Sequence, residues 1–296
     1  MCAKTDTWFD ALVASAQPTG EELQTAKERY EAVRAILHKE PWVKKAVVAG
    51  SFARMTASHP INDVDVFVEI DGLDAAEDFE NFKKRVCLTM SQAKSELGFD
   101  DIRRQTHSLG ILWPSGPSVD LVPLNVNEDG TFQIIKSTLG GWLATFPTDA
   151  SSTLNEANEA CGGQLIPLIR LLKSWNNSWK KNDHDTKPLK SFHLEVMCYS
   201  VDPSGFVKQK TSLSRFMYLL LHLSTKVVCS SLTPPRDGSP LPAYFNDGHP
   251  WKPIDVSDFL KDGAKLTLSA EKSTACQTKL MQWLASPRSY YESLKE

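Results

Sequence analysis

Residues 63–70 read DVDVFVEI, and no other stretch of the chain restricts its fold as tightly. Val64, Val66, Val68 and Ile70 alternate with Asp63, Asp65, Phe67 and Glu69, the period of a strand with one face in a core and the other carrying charge. Aspartate is a poor strand former, and two carboxylates roughly 7 Å apart on one face repel each other. A third aspartate, Asp120, interrupts another apolar run, SVDLVPL, between Val119 and Leu121. If the sheet brings Asp63, Asp65 and Asp120 around one small volume, a cation must offset their repulsion.

The run AVVAG ends at Gly50, and Ser51 follows, placed to open a short helical turn through FARMT. Glycine lets the backbone approach a phosphate closely, and the Ser51 hydroxyl, with N–H groups at a helix start, can donate to phosphate oxygens. Hard carboxylate oxygens suit Mg²⁺, with Mn²⁺ as a substitute. Two such ions ~3.5–4 Å apart are the known solution for in-line phosphoryl or nucleotidyl transfer. Together the residues point to nucleotide chemistry with Asp63, Asp65 and Asp120 as metal ligands and catalytic groups.

The surrounding pattern predicts an α+β chain. Thr19 and Glu22 form a capping box that opens a helix ending before Pro41, and helical spacing returns from about 75 to 97. HSLGILW and SVDLVPL, joined by PSGP, read as a strand hairpin. Beyond residue 150 helices dominate: LIPLIRLLKSWNNSW, SFHLEVMCYSV and SLSRFMYLLLHLSTKVV, then a Pro- and Gly-rich loop over 230–253 and a last helix over 273–294. The expected division is a mixed-sheet lobe over 1–150, including the long N-terminal helix, and a helical lobe over 151–296. A net charge of −3 and a pI near 6.2 speak against a chain that grips a nucleic-acid duplex. The six cysteines form no metal-binding pair, and no apolar run reaches membrane-spanning length. The chain reads as a soluble, cytoplasmic monomer.

Gly50-Ser51, followed after residues 52–62 by Asp-hydrophobic-Asp-hydrophobic, resembles the signature of the polymerase-beta-like nucleotidyltransferase superfamily. LIRLLKSW followed by KSFHLE is similar to the helical lobe shared by oligoadenylate synthetases, cyclic GMP-AMP synthase and the bacterial CD-NTases, the cGAS/DncV-like enzymes. The resemblance implies a site in the cleft between the lobes. It implies that Lys173 contacts the donor triphosphate, that Ser191 contacts phosphate, and that Phe192, standing where the family has tyrosine, stacks on the base. Asp63 and Asp65 would bind both metals, and Asp120 would join the metal near the acceptor and help deprotonate its ribose hydroxyl. Arg54 would reach the phosphates or lie on the surface, and the Asn155 and Asn158 amides are candidates to read a base edge. Lacking a zinc ribbon and a basic tract, the chain is closest in pattern to CD-NTases that convert NTPs such as ATP into a cyclic di- or trinucleotide messenger in antiphage (CBASS) signalling. A regulatory protein partner is compatible with that group. The alternatives are a synthetase of linear oligonucleotides, a nucleotidyltransferase acting on tRNA or protein, and an inactive nucleotide-binding module.

Overall fold

The computed structural model describes residues 3–70, 78–135, 142–145, 147–182, 191–229 and 266–268. The chain divides into two units, one of Pro18–Ser151, the other of the described residues of Met1–Gln17 and Ser152–Glu296. The loop expected over 230–253 and the helix expected over 273–294 lie outside the described residues, as does the start of the helix expected from 75.

In the first unit α2 (Gly20–Leu37) begins as the capping box requires: the Thr19 hydroxyl accepts from the Glu22 N–H at 3.1 Å and the Glu22 carboxylate from the Thr19 N–H at 2.8 Å. β1 (Val43–Val48), the short helix α3 (Gly50–Ala53), β2 (Asp63–Ile70), α4 (Asp78–Leu97), β3 (Asp101–Arg104), β4 (Leu109–Leu112), β5 (Ser118–Val126), β6 (Phe132–Ile135) and β7 (Trp142–Thr145) follow. The strands form one seven-stranded sheet in the order β1-β2-β5-β4-β3, with β6 paired to β5 and β7 to β6. All pairs are antiparallel except β2 with β5. That parallel pair needs a long crossover, which α4 and the β3–β4 hairpin provide.

The alternation seen in DVDVFVEI separates the two faces of the sheet. Val64, Val66 and Val68 are fully buried and Ile70 nearly so, and Val119 and Leu121 of β5 join them on the same face. Val33, Ile36 and Leu37 of α2 and Phe82, Val86 and Met90 of α4 close over Val66, Val68 and Leu121 in one apolar cluster. Each fully buried aliphatic side chain contributes about 1.5–3 kcal/mol, which anchors β2 and β5 and leaves their other face for the acids.

The second unit holds α1 (Ala3–Ser15), α5 (Pro147–Ala160, whose first residues precede the division), α6 (Leu165–Asn182), α7 (Ser191–Tyr199), α8 (Pro203–Val207), α9 (Ser212–Lys226) and a two-stranded sheet of β8 (Val227–Cys229) and β9 (Leu266–Leu268). Helix α1 packs here, with the Phe9 and Phe216 rings 5.5 Å apart between centroids, whereas the sequence reading grouped residues 1–150 together. Phe9 and Leu12 of α1, with Ala16 directly after it, all buried, lie one helical turn apart along the face that packs here. Pro167 falls in the first turn of α6, where its missing N–H costs nothing.

Candidate active site

The parallel pairing of β2 with β5 sets Asp65 directly opposite Asp120 and Asp63 opposite Ser118. Paired residues on adjacent strands project to the same face about 4.8 Å apart, so the three aspartates share one face, opposite the valine core. Asp63 is exposed, Asp65 half-buried and Asp120 only 5% exposed. Burial first, and then the charge of Asp63, push the Asp120 carboxyl up to about 6, while hydrogen bonds from Gln105 and Ser118 and the charge of Arg103 act in the opposite sense. Asp120 is not turned into the apolar interior: its Oδ1 accepts from Gln105 Nε2 at 3.1 Å and from Ser118 Oγ at 3.2 Å.

Gly50 lies against this row. Its φ is +62°, and a Cβ there would stand 1.8 Å from Asp65 Oδ2, so both the backbone and the neighbouring carboxylate require glycine. The Ala49 N–H donates to the Asp65 carbonyl at 2.8 Å, which ties the end of β1 to the strand carrying the acids. The Ser51 carbonyl accepts from the N–H groups of Thr56 at 2.8 Å and Ala57 at 3.1 Å, closing the turn after α3. Arg54, half-buried, forms the C-terminal cap of α3.

Three contributors to the row do not stand out in the sequence alone. Gln105, Gly110 and Ser118 surround the Asp120 carboxylate, Gly110 being its register partner on β4. The available signals were a lone glycine within a strand, which marks close approach of neighbouring atoms, and a serine two residues before Asp120 on the same face.

The nucleotide-contact candidates of the helical unit sit on α6 and α7. Lys173 is buried on α6 with its ammonium 3.4 Å from Glu195 Oε2 on α7, and the Tyr199 hydroxyl donates to Glu195 Oε1 at 2.7 Å. Ser191 and Phe192 are the first two residues of α7 and are half-buried. The Asn158 side chain caps α6, its Oδ1 accepting from the N–H groups of Leu165 at 3.2 Å and Ile166 at 3.1 Å. That role occupies the carbonyl end of the amide considered for base reading. Glu195→Ala leaves the Lys173 ammonium buried beside a cavity and is expected to cost about 3–5 kcal/mol in urea unfolding. A loss below about 1 kcal/mol would show that the pair is not a structural element.

Among the described residues no three acidic, histidine or cysteine side chains are gathered into a ready-made metal cage. The strands instead supply three carboxylates on one face, Asp65 and Asp120 in register and Asp63 two residues along, a donor set of hard oxygens that fits Mg²⁺. The burial of Asp120, with the charge of Asp63 added to it, has a measurable consequence. The folded-state affinity of Asp120 for its proton is above the ordinary carboxylate value, so its contribution to stability is full below about pH 4 and is lost as pH rises through about 6. Without divalent cations, Asp120→Asn is therefore expected to gain about 2–3 kcal/mol on the parent between pH 4 and pH 7.5 in urea unfolding. A difference constant over that range would contradict the raised proton affinity of Asp120.

Comparison with known proteins agrees with this architecture. The family model of the Second Messenger Oligonucleotide or Dinucleotide Synthetase domain matches residues 3–158, and that of the cGAS/DncV-like nucleotidyltransferase C-terminal helical domain matches residues 152–267. The chain is 26% identical over 171 residues to the cyclic AMP-AMP-AMP synthase of Escherichia coli (strain MS 115-1), covering 57% of this chain and 53% of that protein. It is 25% identical over 211 residues to the CBASS oligonucleotide cyclase CdnC of Escherichia coli (strain KTE188), covering 68% of this chain and 64% of that one. The matches thus span about half to two thirds of these curated relatives. Among solved structures, CdnC of E. coli MS115-1 with ATP superimposes with a TM-score of 0.67 at 19% identity, covering 96% of this chain and 91% of that chain. Its complex with HORMA-deltaN gives 0.66 at 19% identity, covering 92% and 86%. At such identities the likeness of structure is one of fold, a nucleotidyltransferase lobe joined to a helical one. With more than half of its length matched by the first of these models, the chain belongs to the Second Messenger Oligonucleotide or Dinucleotide Synthetase family, with the C-terminal helical domain of cGAS/DncV-like nucleotidyltransferases.

Proposed function

We propose that this protein is a Mg²⁺-dependent nucleotidyltransferase that joins ribonucleoside triphosphates, ATP among them, into a cyclic di- or trinucleotide with release of pyrophosphate, and that it serves CBASS antiphage signalling. The observation that carries the reading is the register of Asp65 against Asp120, with Asp63 on the same face and Gly50 packed against Asp65. Membership of the family and the CBASS relative support it.

In this reading Asp63 and Asp65 would hold both divalent cations and Asp120 would join the one on the acceptor side. A bound pair supplies Lewis acidity at the attacking hydroxyl and at the departing pyrophosphate. Asp120, beside the acceptor, would help take the proton of the acceptor ribose hydroxyl. The hydroxyl oxygen forms a bond to the donor α-phosphorus as the bond from that phosphorus to the bridging oxygen breaks, and pyrophosphate leaves with the electron pair. Gly50 and Ser51 receive phosphate oxygens. Lys173 neutralises the triphosphate and Glu195 holds its ammonium in place, while Ser191 donates to phosphate and Phe192 offers a face on which a base stacks. A regulatory protein partner is part of the proposal, supported by the HORMA-deltaN complex of the CdnC relative. The enzyme acts as a cytoplasmic monomer apart from that partner.

Incubation with all four NTPs and Mg²⁺, phosphatase treatment and mass analysis tests the reading. A phosphatase-resistant product with the mass of a cyclic di- or trinucleotide is expected. A phosphatase-sensitive ladder would instead establish linear synthesis, and bound NTP with no product would establish a silent module.

A further inference from the structure

Asp120 is gripped from the tip of the β3–β4 hairpin, by residues that the proposed reaction does not use. Gln105 reaches from that turn to donate through Nε2 to Asp120 Oδ1 at 3.1 Å. Gln105 is itself held by Ser108 through side chain and backbone: the Ser108 hydroxyl donates to Gln105 Oε1 at 2.9 Å, and the Gln105 backbone N–H donates to the Ser108 carbonyl at 2.9 Å. With its carbonyl engaged by Ser108, the amide presents its NH₂ end to the carboxylate. Ser118 Oγ adds a second donor to the same oxygen at 3.2 Å. Among the described residues no hydrogen bond falls on Oδ2.

The space for this contact is provided by Gly110. It stands opposite Asp120 in the β4–β5 ladder, and its φ is outside the left-handed region, so backbone conformation does not call for glycine here. Room does. A Cβ at 110 would lie 2.8 Å from Gln105 Nε2 and 3.0 Å from Asp120 Oδ1, which would push the amide off the carboxylate. A glutamine serving only to close the hairpin would need no such gap in the row of acids.

We infer that Gln105 is a positioning residue: with Ser118 it pins Asp120 through Oδ1 and so turns Oδ2 toward the divalent cation, in a slot that Gly110 keeps open. This rests on the metal-binding reading of the three aspartates. A hydrogen-bonded ligand carboxylate is fixed in orientation before the cation arrives, and partners of this kind typically change metal affinity 10- to 100-fold when removed.

The test is Mn²⁺ binding to the full chain without nucleotide, followed by electron paramagnetic resonance of the free ion. The proteins compared are the parent, Gln105→Met, Gly110→Ala, Ser118→Ala and Asp120→Asn. Gln105→Met keeps the length of the side chain and removes the donor; its expected effect is a roughly 10-fold weaker Mn²⁺ affinity. Gly110→Ala, which leaves Gln105 in place, is expected to do the same. In steady-state turnover Gln105→Met should raise the half-saturating metal concentration while kcat at saturating metal and KM for NTP stay near the parent's, a pattern that general loosening of the hairpin would not give. Parental Mn²⁺ affinity in both Gln105→Met and Gly110→Ala, with Asp120→Asn defective, would overturn the inference and leave the metal site standing. Parental affinity in Asp120→Asn would remove the metal reading itself and this inference with it.

Discussion

Asp65→Ala is expected to reduce nucleotidyl transfer by on the order of 10³-fold or more without lowering the stability of the protein. Asp65 is central in the row, two residues from Asp63 on its own strand and paired with Asp120 on the next. In the proposed mechanism its loss would remove a ligand shared between two cations, and charge stabilisation by such ions is worth several kcal/mol of barrier, each ~1.4 kcal/mol being a factor of ten. The fold does not depend on it, because Val64 and Val66 on either side anchor β2 through the opposite face. Removing one of three neighbouring negative charges relieves repulsion, so the melting temperature should hold or rise. Pyrophosphate release and thermal unfolding measured on the same preparation decide the matter. Activity within tenfold of the parent would place the chemistry elsewhere.

Gly50→Ala is expected to have the next largest effect, and by a different route. The added methyl group would stand 1.8 Å from Asp65 Oδ2, so that either the turn or the carboxylate must move by more than 1 Å. A displacement of that size in a catalytic group costs about 10²-fold in rate. The residue would also hold a φ of +62°, which costs a non-glycine residue about 1–2 kcal/mol. The variant should therefore lose both activity and about 1–2 kcal/mol of stability in urea unfolding, whereas Asp65→Ala loses activity alone. Full activity in Gly50→Ala would mean that Asp65 does not need the position it occupies.

The two outcomes separate because the sequence encodes the acids and their support at different levels. The bounds of β2, its buried valines and the capping box of α2 follow from local periodicity and local hydrogen bonding, both legible in one dimension. The register of Asp65 with Asp120 is a property of the parallel ladder; the alternation in DVDV and SVDLV shows that both acids face away from the core but not which residues stand opposite. The hold on Asp120 is less legible still. Gln105 and Gly110 acquire meaning only when the hairpin folds back and β4 pairs with β5, and DIRR, with charges exposed on an edge strand, lacks the apolar alternation that marks a strand. Helix α1 had the opposite fate: Phe9 and Leu12, with Ala16 directly after the helix, carry its period openly, but their partners on α6 and α9 are more than a hundred residues away in sequence.

The helical unit raises a related point about charge. Lys173 on α6 and Glu195 on α7 form a pair that is buried in full, so each is costly to leave alone. A lysine at an exposed site would be read as a solvated charge; here the ammonium is held by a carboxylate that Tyr199 in turn orients. The proposed contact of Lys173 with a triphosphate therefore begins from an ordered side chain.

The central claim is that Asp63, Asp65 and Asp120 together hold divalent cations under a nucleoside triphosphate. Crystals grown with Mn²⁺ and a non-hydrolysable ATP analogue, measured at the manganese absorption edge, address it most directly. The expected result is a pair of anomalous peaks ~3.5–4 Å apart, bounded by those three carboxylates and by phosphate oxygens lying against Gly50 and Ser51. Manganese bound away from the three aspartates, or a triphosphate lodged elsewhere on the protein, would contradict it.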